Sequence, residues 1–179
     1  MVKTFNLFLK IGLVILTAFL IAKFTTNKIE YHKTNPYNST PITMVERDRQ
    51  LTCLAKNIYH EAASEPFEGK VAVAQVTINR AESGKFPSDI CNVVYQKNVV
   101  YGKVICQFSW YCENTSKTRP VHKKLWAESE EAVKMVMIDG FRLPELKDAL
   151  YYHADYVNPQ WNKKQVAKIG RHIFYKDKV

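Results

Sequence analysis

The chain has 179 residues, of which 46% are hydrophobic, 12% aromatic and 24% charged. That length suits one globular domain with an appendage, and that composition excludes a disordered, collagen-like or low-complexity chain. The formal net charge is +9, about a third of it from Lys3, Lys10, Lys23 and Lys28 against Glu30; the remaining body is mildly basic, which attracts nucleic acid, anionic lipid or anionic wall polymer without choosing among them.

Residues 5–24 are mostly apolar. Lys3 and Lys10 ahead of the uncharged run Ile11 to Ala22 fit a signal peptide, but Leu20-Ile21-Ala22 is not a small-x-small cleavage triplet. Counted outward through Phe5–Leu9, the stretch reaches the roughly 20 residues of a bilayer span. Residues 1–24 therefore read as an N-terminal membrane helix of signal-anchor type, with a cleaved, secreted form as the alternative. Residues 25–43, with Asn27, Asn35, Pro36, Asn38, Ser39 and Pro41, are too polar to bury a core and read as a tether. The globular domain then occupies residues 44–179.

Within it, Arg47 to Ala63 predicts a helix, because Leu51, Leu54, Ala55, Ile58 and Ala62 form one apolar stripe. Ser64 is expected to cap a second helix with Pro66 in its first turn, a stripe of Phe67, Val71, Ala74 and Ile78, and a stop at Gly84. Pro87-Ser88-Asp89 ahead of Ile90, Val93 and Val94 predicts a short capped helix. Residues 99–112 are β-branched and aromatic, with Gly102 between, and predict a strand or hairpin. Val121 to Asp139 predicts a third long helix ended by Gly140. Residues 149–154, 164–168 and 171–176 predict strands, the last two joined at Gly170. The class is α+β, helix-rich, with a small late sheet.

Cys53, Cys91, Cys106 and Cys112 are an even set. In an oxidising compartment they allow two disulfides in three connectivities, with Cys106 and Cys112 nearest in sequence. No C-x-x-C pair supports zinc.

Three clusters could carry chemistry. Tyr59-His60-Glu61 begins like H-E-x-x-H but has Ser64 where the second histidine belongs, so the metalloprotease motif fails. Glu61 itself falls about 80° from the centre of the apolar stripe on a helical wheel, at its edge. There it is either a solvated flanking charge or a partly desolvated carboxyl whose pKa is raised toward that of a general acid. Glu68 reads as a favourable charge at a helix start. In the second cluster, residues 106–112, rings and amides suit either a core strand or a sugar-binding wall; Gln107, Phe108 and Ser109 are its candidate contacts. The third, residues 151–156 with Trp161, supplies Tyr152 and His153, the histidine serving either structure or substrate. Lys163, Lys164, Lys168, Arg171, Lys176 and Lys178 make a basic end that suits solvent or an anionic polymer.

The order of motifs resembles the SleB/CwlJ family of cell-wall hydrolases, which includes spore-cortex-lytic enzymes and bacterial and phage lysins. The resemblance rests on residues 54–62 and 64–76, Ile78-Asn79-Arg80, Phe86-Pro87, Ile90-Cys91, Val94-Tyr95-Gln96, Cys106-Gln107-Phe108-Ser109, Ala149-Leu150-Tyr151-Tyr152 and residues 169–175. Where the family reads E-A-R-G-E, this chain has Glu61-Ala62-Ala63-Ser64-Glu65, keeping both acids and losing the Arg-Gly pair. The resemblance implies a lysozyme-like, lytic-transglycosylase-related fold; the apolar N-terminal segment and the even cysteine set imply an exported domain held at the membrane. It implies peptidoglycan, not nucleic acid, as the partner, with Glu61 as catalytic acid, Glu65 or Asp155 as the residues to supply any second carboxylate, and no metal or cofactor. The competing expectations are a non-enzymatic peptidoglycan-binding or wall-assembly protein, and a metal-dependent amidase or peptidase.

Overall fold

The computed structural model describes residues 16–19, 22–23, 43–113 and 120–178. The chain divides into two compact units, Met1–Ile42 and Thr43–Val179. In the first, residues 16–19 and 22–23 are helical; most of the expected membrane helix and all but the last residue of the tether lie outside the described residues. No helix among the described residues is long and apolar enough to cross a membrane.

In the second unit, α1 spans Met44–Ala62 and is capped by the Thr43 side chain, three residues ahead of the expected start. The helix α2 covers Phe67–Glu82. Its cap is Pro66, not Ser64, because the Ser64 hydroxyl accepts a hydrogen bond from Arg171 Nη2 at 2.9 Å instead. Short α3 (Ile90–Val94) is the expected capped helix, and Asp89 of the preceding triplet is the cap.

Strands β1 (Lys97–Val100) and β2 (Lys103–Cys106) form an antiparallel hairpin. Its two-residue turn holds Tyr101 and Gly102, both at positive φ (49° and 73°), the pattern that suits the twist of a tight hairpin. The hairpin ends earlier than the apolar run: Ser109–Cys112 is a helical turn, α4, closed by the Cys106–Cys112 disulfide. The expected helix over 121–139 is α5 (Lys123–Val133), continued by a π-helical turn over Lys134–Ile138 and stopped at Gly140. Strands β3 (Tyr151–Ala154), β4 (Lys164–Ile169) and β5 (His172–Lys176) form one antiparallel sheet in the order β3-β5-β4. The fold is α+β and helix-rich, with two small antiparallel sheets.

The central element is α2, buried from Gly69 to Ile78. Apolar side chains pack around it, while its polar ones reach the segment that leads into β3. Gln75 exchanges two hydrogen bonds with the Leu143 backbone (2.7 and 3.0 Å), Asn79 donates to the carbonyls of Leu146 and Ala149, and Arg80 Nε donates to that of Leu150. Such bonds contribute about 1 kcal/mol each, but they also dictate where Tyr152 arrives. The Cys53–Cys91 disulfide ties α1 to α3.

Candidate active site

Glu61 lies in the last turn of α1, which brings it, half-buried, beside the sheet. Its Oε2 accepts a hydrogen bond from the Tyr152 hydroxyl at 3.0 Å. Desolvation raises the Glu61 pKa above the ordinary glutamate value; the Tyr152 bond and the Arg80 charge pull it back, and the Glu113 charge adds to the rise. Burial, with the Glu61 charge beside it, holds the Tyr152 phenol well above the ordinary tyrosine range, so it remains a donor.

Arg80, on α2, is only 4% exposed. Its guanidinium lies 5.2 Å from the Phe86 ring centre, 5.1 Å from Phe108 and 5.7 Å from Tyr152. Such cation–ring contacts are strongest where water is excluded. Nη1 has no hydrogen-bond partner among the described residues. A buried cation that spends one edge on a carbonyl and its faces on rings can still act on a neighbouring carboxylate through its field. Composition and periodicity did not single Arg80 out; the available signal was an arginine within the otherwise buried run of α2.

Glu65 is also buried, but differently. The Arg171 backbone N–H donates to its Oε2 at 2.8 Å and Arg171 Nε donates to Oε1 at 3.0 Å. A Cβ at Gly170, where φ is +57°, would collide with the same carboxylate. Burial alone would raise the Glu65 pKa; the bonds from Arg171, with the charges of His172 and Arg171, bring it below the ordinary value. Asp155 is paired with Lys168 at 2.8 Å. Neither carboxylate is offered as a loose second acid.

The aromatic cluster at residues 106–112 comes to the same end of α1. Trp110 stacks on His60 (centroids 4.2 Å, planes 14° apart) and its indole N–H donates to Asn57 Oδ1 at 3.1 Å. Buried Asn57 also donates to Thr77 Oγ1, linking α1 to α2. Tyr95 and Tyr111 extend the cluster, at 4.7 Å from each other. Gln107 is half-buried and Ser109 exposed, whereas Phe108 is 3% exposed and lies against Arg80.

Adjacent strand residues face opposite sides of a sheet, so Tyr152 and His153 part company. Tyr152 shares its side with Phe174 and His172. His153 is on the other, stacked on Tyr175 at 5.1 Å with Nε2 2.9 Å from its hydroxyl, and 5.4 Å from Trp161. The structure thus gathers Glu61, Tyr152, Arg80 and Phe108, and leaves His153 outside. The expected basic end is largely neutralised: Lys163 and Lys85 pair with Asp177, Lys168 with Asp155, Arg171 with Glu65 and Lys176 with Asp148. Among the described residues, no three His, Cys, Asp or Glu side chains converge on a point that could hold a metal.

The chain is 28% identical over 149 residues to a spore cortex-lytic enzyme of Oceanobacillus iheyensis, covering 79% of this chain and 46% of that one. It is 27% identical to a spore cortex-lytic enzyme of Bacillus subtilis, covering 71% and 37%. The chain therefore spans less than half the length of these curated relatives. The crystal structure of the catalytic domain of the Bacillus cereus SleB protein aligns at TM-score 0.54 and 26% identity, over 72% of this chain and 91% of that one. The catalytic domain of a germination-specific lytic transglycosylase, SleB of Bacillus anthracis, aligns at 0.54 and 28%, over 71% and 93%. The Cell Wall Hydrolase family model matches residues 64–175. That span begins just beyond Glu61 and takes in α2, both sheets, Arg80, Tyr152 and the Glu65–Arg171 anchor. With more than half of its length inside that match, the chain belongs to the cell wall hydrolase family.

Proposed function

We infer that the chain cleaves the glycan strand of peptidoglycan between N-acetylmuramic acid and N-acetylglucosamine, as a lytic transglycosylase with Glu61 as its single acid and base. The observation that carries this reading is the Glu61 environment: a desolvated carboxyl at a helix end, bonded to a neutral phenol rather than to a cation. Desolvation keeps such a carboxyl protonated further toward neutral pH, as a general acid requires.

Protonated Glu61 donates to the glycosidic oxygen as the C1–O bond breaks, and positive charge develops on the muramyl ring. The carboxylate so formed is stabilised by the Tyr152 hydroxyl and the Arg80 field. It then takes the proton of the same sugar's C6 hydroxyl while O6 bonds to C1. The product is a 1,6-anhydro sugar, no water is consumed, and Glu61 is protonated again. A classical hydrolytic pair would use a second carboxylate about 5–9.5 Å away. The engagement of Glu65 with Arg171 and of Asp155 with Lys168 supports the single-acid route. Gln107 and Ser109 contact sugar hydroxyls in this reading, and Phe108 acts by seating Arg80.

The two disulfides suit an oxidising, extracytoplasmic compartment. Residues 1–24 would hold the domain at the membrane and residues 25–43 would tether it on the wall side. Cell fractionation tests that part: the chain should sediment with membranes, and a wholly soluble chain would contradict the anchor. Mass spectrometry of purified peptidoglycan digested with the full chain tests the chemistry. Anhydro-muropeptides are expected. Reducing-end muropeptides would replace transglycosylation by hydrolysis, free peptides would indicate an amidase or peptidase, and an unaltered wall would indicate a binding protein.

A further inference from the structure

The face of the β3-β5-β4 sheet opposite Glu61 carries a feature that the chemistry above does not use. Trp161, in the loop between β3 and β4, is 41% exposed. Its buried side is gripped edge-on by Tyr151 (6.2 Å), His153 (5.4 Å) and Tyr175 (5.9 Å). The loop is held close by: Lys178 Nζ donates to Asn162 Oδ1 at 2.7 Å and Lys163 Nζ to Asp177 at 2.9 Å, with Lys163 also 3.4 Å from the Tyr151 ring centre. Beside the indole is a cavity of about 410 Å³, lined by Trp161, Tyr175, Asn158, Pro159, Gln160 and Asn162. Gln160 sits at φ +52°, a conformation that few non-glycine residues adopt.

The geometry points to a second saccharide site on this outer face, separate from the cleavage site and selective for a neutral stretch of β-1,4-linked glycan. The volume is that of a small-ligand site. A fixed, half-exposed indole offers a flat apolar surface to the C–H face of a pyranose while losing little conformational freedom on binding. Carboxamides are donors and acceptors at once, as are sugar hydroxyls and N-acetyl groups. The lining side chains carry no charge, which disfavours a phosphate or carboxylate ligand. His153 here serves as a positioning residue that holds Tyr175 and Trp161. The site would keep the enzyme on an insoluble polymer between cuts, and in this sense the inference rests on wall glycan as the substrate.

The test uses the full chain carrying E61Q, pelleted with purified peptidoglycan sacculi, so that binding is read without cleavage. Adding W161A, or N158A with Q160G, should weaken pelleting at least tenfold; the second variant alters only exposed positions, and glycine suits the φ at 160. In the chain with Glu61 intact, either change should slow digestion of sacculi while leaving digestion of short soluble glycan oligomers unaltered. Unchanged pelleting in both variants overturns the inference, and so does an equal loss on sacculi and soluble oligomers. A chain that cuts no glycan yet pellets through Trp161 would overturn the cleavage reading and keep this one.

Discussion

Glu61 and Glu65 stand one helical turn apart in sequence, at the junction of α1 and α2, and the fold gives them opposite surroundings. Glu65 is enclosed by a backbone N–H, a guanidinium and a glycine with no room for a side chain. Glu61 meets a phenol and, further off, a cation already occupied by rings and a carbonyl. The same functional group is therefore held charged in one place and pushed toward neutrality in the other. Pairs of acids driven apart in this way suit a division of labour: Glu65 fastens the β4–β5 turn to the helices, and Glu61 is the acid we propose for the chemistry.

The largest effect that sharpens this contrast is E61Q. It should lower the rate of glycan cleavage by about 10²–10⁴-fold, the usual contribution of a general acid–base, with the melting temperature little changed. E65Q should do the reverse, retaining cleavage and losing about 1–3 kcal/mol of stability by chemical denaturation. Arg171 is largely exposed, so that loss comes mainly from the buried carboxylate's bonds rather than from the ion pair itself. A chain in which E65Q abolishes cleavage without unfolding would break the comparison.

Gly170→Ala should reproduce the E65Q phenotype, costing about 1–3 kcal/mol, because the new methyl collides with the Glu65 carboxylate at a left-handed backbone position. The pH dependence separates the two acids as well. Since the folded pKa of Glu65 is lowered, its contribution to stability is present above the ordinary glutamate value and is lost as pH falls through the lowered one. Since that of Glu61 is raised, its burial costs stability as pH rises through the raised value, and that same rise removes the proton that the proposed mechanism uses. E65Q should therefore flatten the acid side of the stability profile.

The smallest expected effect is that of Tyr152→Phe. It removes a hydrogen bond that favours the ionised form of Glu61, so the basic limb of the pH–rate profile should move to higher pH. A shift to lower pH would mean that the phenol does not stabilise the carboxylate.

Much of this frame was readable in advance. The stripe of Leu51, Leu54, Ala55, Ile58 and Ala62 fixed α1 and put Glu61 at its edge; Pro87-Ser88-Asp89 and Gly170 marked a capped helix and a hairpin turn. These signals are local, because neighbours in sequence satisfy them. The misreadings are those decided by tertiary partners, by a covalent link or by which face of a strand a residue occupies. Ser64 has the chemistry of a cap, but Arg171, 107 residues away, engages its hydroxyl. Residues 109–112 have strand composition, but the covalent loop from Cys106 to Cys112 bends them into a helical turn. The role of Arg80 depends on three rings brought from Phe86, Phe108 and Tyr152, which no spacing reveals. His153 and Tyr152 looked like one site and lie on two faces, the direct result of strand alternation.

The most direct measurement is a carbon-13 NMR titration of the glutamate carboxyls in the full chain, with the two resonances assigned from E61Q and E65Q. Glu61 should titrate above the ordinary glutamate value and Glu65 below it. Glu61 titrating at or below that value would leave no protonated donor at the pH where the wall is cut, and the account would fail.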